Sequence, residues 1–352
     1  MDSKLLEIFN RFDVAGEALD IIPYGNGHIN WSYLVKTDVR DYMLQTINTY
    51  VYKNVDSLMR NIYIVTNHLR SRGNTTLQVC KTLNKKIYVE EDGIYYRLYD
   101  FISNTGSCEQ QDPEKTAEMI GRAFGEFHSE LSDLDPILIA ETIVNFHDTP
   151  KRYEALMDTA KRDEFGRLGE CLPELNFIVE NKAEVFRIME GLNAGTIPQR
   201  IVHNDPKLDN VLFDAETGAV KCVIDLDTVM PGSCLFDYGD ALRSLFTGDN
   251  ESAADSSRLV FRPDIFRSLT KGYLSAAGKS LTPREVELLP NAALTLSMEL
   301  GMRFLEDYIN GDKYFRVGSE KQNLFRARNQ LHLAKDLLGH MDDMDAIVKE
   351  YL

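Results

Sequence analysis

Positive charge is the first thing this chain is short of. Against 55 Asp and Glu it sets only 39 Lys and Arg, a formal net charge of −16 over 352 residues. A nucleic-acid binder needs a basic stripe, and an anionic membrane surface also selects for cations, so the bulk charge argues against both partners. It leaves room for a local basic pocket. Paired cysteines are missing too. Cys80, Cys108, Cys171, Cys222 and Cys234 are scattered and odd in number, with no CxxC. Two of them adjoin apolar runs, and buried free thiols are the expectation. No apolar run approaches membrane-spanning length. The opening MDSKLLEIFNRFDV has no basic start followed by an apolar core, so no signal peptide is expected and a reducing cytoplasm fits. There is no internal repeat and no low-complexity tract. One polar stretch, 248–258, reads as a surface loop.

What is present divides near residue 103. Leu5, Ile8, Phe9 and Phe12 predict a short amphipathic helix over 3–12. A strand (21–24), a turn Gly25-Asn26-Gly27-His28-Ile29-Asn30, and a second strand (31–35) follow. Glycines in such a hairpin permit positive φ and close approach of the backbone to an anion, although most such turns are only turns. A third strand covers 42–45, a helix with Leu58, Ile62, Val65 and Leu69 on one face covers 55–72, and further strands are expected at 77–80, 86–90 and 94–99. From residue 104 the pattern is helical. Asp112-Pro113 and Asp148-Thr149-Pro150 are start signals. Thr282-Pro283-Arg284-Glu285 is a capping box opening a helix to about 309, with Pro290 inside it. Helices are also expected at 173–192, 236–246, 263–276, 319–338 and 342–351.

The chemistry concentrates in residues 201–240, IVHNDPKLDNVLFDAETGAVKCVIDLDTVMPGSCLFDYGD. A polar turn, His203 to Asn210, leads into the apolar run Val211-Leu212-Phe213. After a turn comes Cys222-Val223-Ile224, ending at Asp225. Two short buried strands thereby carry an amide and a carboxylate at one end of a hairpin, as oxygen ligands of Mg²⁺ beside a phosphate would be carried. The spacing H-x-D-x-x-x-x-N, followed by hydrophobic-Asp, matches the catalytic loop and metal aspartate of kinase-like phosphotransferases. Phosphoryl transfer asks the protein for metal ligands, cations and a carboxylate that orients the attacking hydroxyl. Asp205 fits the carboxylate, Asn210 and Asp225 the metal roles, and Lys207 can reach a phosphate oxygen. His203 is expected to brace the loop. An ordinary polar turn is the competing reading.

These residues, with others along the chain, resemble the aminoglycoside phosphotransferase and choline kinase superfamily. More narrowly they are similar to bacterial N-acetylhexosamine 1-kinases. The narrow likeness rests on PYGNGHIN (23–30), YMLQTIN (42–48), LMRN (58–61), NFHDTP (145–150), HNDPKLDN (203–210), VIDLDTVMPGS (223–233), FDYGDALR (236–243) and MELGMRFLEDYINGDKYF (298–315). The resemblance implies an α+β, two-lobed, protein-kinase-like fold. Its small lobe, 1–103, would be a mostly antiparallel sheet with one helix and would bind nucleotide. The larger helical lobe, 104–352, would be catalytic and sugar-binding. It implies transfer of the γ-phosphoryl group of ATP, with Mg²⁺, to the C1 hydroxyl of GlcNAc or GalNAc. Asp205 would be catalytic and Asn210 and Asp225 would hold the metal. His28, Asp205, Thr228, Arg303 and Tyr314 fall where the similar kinases hold the sugar. Gly25, Asn26, Gly27, Asn30, Gln45, Lys207 and the connector residues Phe101 and Ile102 would line the nucleotide.

Several of these positions carry a second reading. Glu299 is grouped with the sugar site, but an i,i+4 pair with Arg303, on the surface or partly buried, explains it as well. Asp227 is a further metal or phosphate-side carboxylate, or a turn residue. Tyr314 could be core, and His147-Asp148 reads first as a strand end and helix cap, with a sugar contact as its second reading. Asp237 and Asp240 are expected to cap and anchor the following helix. Gln45 stands where a kinase's third strand carries lysine, and 55–72 has no Glu to pair with one; the similar hexosamine kinases share the Gln. Rival functions are a kinase of choline, homoserine, a methylated thiosugar or an aminoglycoside, and a non-catalytic pseudokinase. No macromolecular partner is expected.

Overall fold

A computed structural model describes residues 2–25, 30–106, 112–248, 251–253, 257 and 259–352. Asn26, Gly27 and His28, expected near the substrates, lie outside the described residues. By contact the chain forms two compact units. The first comprises Met1–Cys108, Asp133–Val144 and Leu212–Pro231; the second comprises Glu109–Ser132, Asn145–Val211 and Gly232–Leu352. The sequence suggested a single division after residue 103. By contact, two later stretches also belong to the first unit.

The first unit is built on a five-stranded antiparallel sheet. Its order is Ala18–Pro23, Ser32–Thr37, Tyr42–Ile47, Ile94–Asp100, Val89–Glu91. Alternation along Tyr42–Ile47 buries Tyr42 and Leu44 on one face, where they join Ile8, Phe9, Phe12, Val35 and Leu98 in a core. Gln45 points to the other face. In register with it stand Ser32 on one neighbouring strand and Arg97 on the other. The helix Val55–Ser71 is capped by Asn54 through Ser57 N–H. Residues 77–80, expected as a strand, are not one. Val79 makes only an isolated bridge to Tyr99, with Cys80 N–H donating to Leu98 O and Asp100 N–H to Gln78 O. The strand Val89–Glu91 pairs with residues 94–96 and leaves only the far end of that edge open.

The second unit is helical. Pro113–Glu130 lies against Pro263–Ala277 so closely that a Cβ at Gly121 or Gly272 would collide with a main-chain oxygen of the other helix. Pro283–Ile309 starts at the full Thr282/Glu285 capping box and runs through Pro290. It packs with Thr149–Arg162, Leu172–Asn193 and Gln322–Gly339 around Leu156, Ile178, Val185, Met298, Leu305 and Leu331. Cys234–Thr247 is capped by Ser233, whose hydroxyl accepts from Leu235 N–H. Asp237 and Asp240 do not cap it. Asp240 instead pairs with Arg243 one turn on, at 2.6 Å.

Candidate active site

In the second unit the polar turn is held from behind by a buried carboxylate. Asp237 accepts from His203 N–H and Asn204 N–H, each at 2.7 Å, and from His128 Nε2 at 2.7 Å. His128 in turn meets the Tyr273 hydroxyl at 2.9 Å. Burial pushes the Asp237 carboxyl up, but the His128 bond and the His203 contacts outweigh it and hold the group below its usual range. Asn204, with φ of +66°, makes the turn that sets both amides on one carboxylate. His203 Nδ1 then accepts from Asp205 N–H at 3.2 Å, so the histidine braces the turn. Asp205 is thus presented on a fixed backbone. Its Oδ2 accepts from Lys207 Nζ at 2.9 Å and Asn210 Nδ2 at 3.0 Å, and Asn210 Nδ2 also donates to Asp205 O at 2.8 Å. Lys207, expected to reach phosphate, is therefore on the Asp205 carboxylate. Asn210 spends its NH₂ on Asp205, which leaves its Oδ1, a hard oxygen donor, uncommitted among the described residues.

In the first unit the unusual Gln45 has a clear employment. Its Nε2 donates to Ser32 Oγ at 2.8 Å and its Oε1 accepts from Arg97 Nε at 3.1 Å. Arg97 forks onto Asp227, with Nη2 to Oδ2 at 3.1 Å and Nη1 to Oδ1. Asn30 completes the set: Nδ2 donates to Asp227 Oδ2 at 2.8 Å, and Oδ1 accepts from Asn48 N–H at 2.9 Å. Arg97 and Asp227 are both buried. Burial pushes the Arg97 pKa down, but the charge of Asp227 prevails and the guanidinium stays firmly protonated. The cation missing from the third strand is therefore present one strand over. It is locked to Asp227 beside the turn that carries Asp225 and Thr228. Asp225 has φ of +60°, is exposed, and does not cap the turn Leu226–Thr228. Phe101 and Ile102 are half-buried, and the Phe101 ring meets Tyr24 edge-on at 5.6 Å, next to Gly25, whose φ is +77°.

A second cluster forms in the helical unit around Glu299, which is buried. His147 Nδ1 donates to its carboxylate at 3.1 Å, so Glu299 pairs with His147 and not with Arg303. Phe146 lies against the imidazole at 4.6 Å and Phe236 at 4.9 Å. Phe236 adjoins Asp237, which ties this cluster to the 203–205 turn through one residue step. Arg303 is half-buried over the Phe315 ring at 5.5 Å. Tyr314 is not core. Its ring is exposed beside Phe315, and its N–H donates to Asp307 at 2.7 Å. Arg152, also half-buried, donates through Nη2 to Phe146 O at 3.2 Å. Burial, and then the charge of Arg303, hold its guanidinium below the usual arginine range.

Sequence reasoning missed His128, Arg97, Arg152 and the loop-anchoring role of Asp237. A charged residue inside YYRLYD and a histidine on the apolar stripe of 113–130 were the available signals. Among the described residues no three His, Cys, Asp or Glu side chains gather to hold a metal. Mg²⁺ at a nucleotide site needs only one or two protein oxygens besides phosphates and water. Asn210 Oδ1 in the second unit and the Asp225 carboxylate in the first are each oxygen donors of the type Mg²⁺ takes.

The model of a protein family described as "Phosphotransferase enzyme family" matches residues 20–262. A microcompartment-associated aminopropanol kinase is similar in structure, with TM-score 0.69 and 17% identity, over 96% of this chain and 98% of that one. An aminoglycoside phosphotransferase from Alicyclobacillus acidocaldarius follows at TM-score 0.66 and 14% identity, over 98% and 96%. A choline kinase from Cryptosporidium parvum gives TM-score 0.59 at 10% identity, over 99% and 100%. The α+β architecture is thus the kinase-like fold that the resemblance implied.

Proposed function

The chain belongs to the phosphotransferase enzyme family, and we propose that it transfers the γ-phosphoryl group of ATP to the C1 hydroxyl of an N-acetylhexosamine. The transfer is direct and in line, with no covalent enzyme intermediate. Asp205 orients the anomeric hydroxyl and takes its proton; that hydroxyl is more acidic than an ordinary alcohol, so a carboxylate suffices as base. Lys207 and Asn210 hold the Asp205 carboxylate in place. Asn210 and Asp225 are the proposed ligands of Mg²⁺, on the strength of their spacing in the sequence. Bound there with the nucleotide, Mg²⁺ would supply charge neutralisation at the transferring phosphate. Gly25, Asn26, Gly27, Phe101 and Ile102 line the nucleotide in this reading, and His28, Thr228, Arg303 and Tyr314 the sugar.

One observation carries the choice of acceptor. Arg152 feels the charge of Arg303 more than that of any single neighbouring carboxylate, and the larger of those, Glu299, is engaged by His147. A cationic acceptor such as choline, ethanolamine or an aminoglycoside calls for carboxylates or an aromatic cage. A neutral polyol tolerates guanidiniums as hydrogen-bond donors. The test is an acceptor screen with ATP, the product position being read by NMR. Phosphorylation of an amino alcohol but of no N-acetylhexosamine would refute the assignment. Asp205→Asn should abolish turnover and leave nucleotide binding within about twofold, since the carboxylate acts on the acceptor. Near-full activity in that variant would sink the mechanism.

A further inference from the structure

Two buried polar atoms near Glu299 have no hydrogen-bond partner among the described residues: His147 Nε2 and Arg152 Nε. The His147 side chain is only 9% exposed, and its ring is held between Phe146 and Phe236. A carboxylate only accepts, so the proton on Nδ1 faces Glu299, and in the neutral ring Nε2 is left as a bare acceptor. Arg152 is anchored through Nη2 on Phe146 O, and its Nε–H is a donor with nothing to receive it. With the ring neutral, one buried acceptor and one buried donor are left unmatched. Their side chains share the neighbourhood of residues 146–147 and the charge of Glu299. Unmatched buried polar atoms are costly, and such atoms are commonly completed by water or by a ligand.

We propose that His147 and Arg152 recognise the acylamino group of the acceptor, its N–H donating to His147 Nε2 and its carbonyl accepting from Arg152 Nε–H. An uncharged amide offers one donor and one acceptor on two separate atoms, the complement of what is open here. A protonated amine has donors only and would meet two guanidiniums. A hydroxyl must serve both atoms from a single oxygen. This deepens, and rests on, the acceptor proposed above.

The experiment compares kcat/KM for an N-acetylhexosamine with that for the corresponding plain hexose, ATP being saturating. Arg152→Met and His147→Gln are each expected to lower that ratio by about 10- to 100-fold, through KM more than kcat, because a site built to hydrogen-bond a group loses its preference when the partner goes. Circular dichroism of each variant checks folding. A second measurement needs no variant: the 2-O-acetyl analogue lacks only the amide N–H, and with the unaltered protein it should react about tenfold less efficiently than the amide. If both variants keep the ratio and the analogue matches the amide, the inference falls alone and water fills the two positions. A wild-type protein that phosphorylates no N-acetylhexosamine overturns both this inference and the function it rests on.

Discussion

Replacing Asp237 by Asn should cost the fold about 3 kcal/mol and disable a site that Asp237 does not touch. The carboxylate uses Oδ2 for His203 N–H and for His128 Nε2, and Oδ1 for Asn204 N–H. Asparagine keeps one oxygen. With that oxygen on the Oδ2 side, its NH₂ faces the Asn204 N–H, donor against donor. One charge-assisted bond, about 1.5–3 kcal/mol, goes outright and the other two lose their charge. The amides of 203 and 204 must shift, and Asp205 shifts with them. A displacement near 1 Å costs about 100-fold in rate. Guanidinium unfolding followed by fluorescence gives the first number and steady-state kinetics the second. pH adds a sharper criterion. The folded Asp237 pKa lies below its unfolded value of about 3.9, so its stabilisation is present above that value and lost as pH falls through the folded pKa. The gap between wild type and variant should therefore be full at pH 7 and shrink on acidification below about pH 4. A variant within 0.5 kcal/mol of wild type at pH 7, on the order of measurement error, refutes the reasoning, as does a gap independent of pH.

Three other parts of the fold give outcomes of their own. Arg97→Met and Asp227→Leu should each destabilise by about 3–5 kcal/mol, because each leaves the other's buried charge unpaired, while Arg97→Met/Asp227→Leu should recover much of the loss; additive losses in denaturant unfolding would contradict this. Gly272→Ala sets a methyl against the Glu118 carbonyl and should lower stability by about 3 kcal/mol, with nucleotide affinity kept in the folded fraction; an unchanged unfolding midpoint disproves it. Burial pushes the Cys171 and Cys222 thiols up to about 12 and raises Cys80 and Cys234 further. Peptide mapping after alkylation at pH 8 should find all four unmodified in the native protein and modified in denaturant, whereas rapid native labelling at any of them contradicts the burial.

Much of this protein was legible in one dimension because its causes are local. Asp112 before Pro113, Asp148 before its helix, and the Thr282/Glu285 box satisfy backbone N–H groups within a turn of themselves, so the sequence states them directly. Apolar periodicity likewise marked the helix Val55–Ser71 and the strands on either side of residue 218. The spacing from His203 to Asn210 was visible for the same reason: a turn of eight residues closes on itself, as Asn210 does on Asp205. The segment 77–80 does reach the open end of the sheet edge, but it makes only an isolated bridge there, because how long a run can pair is settled by the path of residues elsewhere.

Partners chosen across the fold left no such trace. Arg97 finds Asp227 130 positions on, His128 finds Asp237 after 109, and His147 finds Glu299 after 152. No periodicity encodes those pairs; they arise when burial removes water and each charge must be met by whatever the packing brings near. By itself the sequence determined the type of chemistry, a carboxylate and an amide at a fixed short spacing. Tertiary structure alone decided what holds Asp205, where the absent lysine's charge went, and which polar atoms stay open beside Glu299, because each depends on desolvation by neighbours remote in the chain.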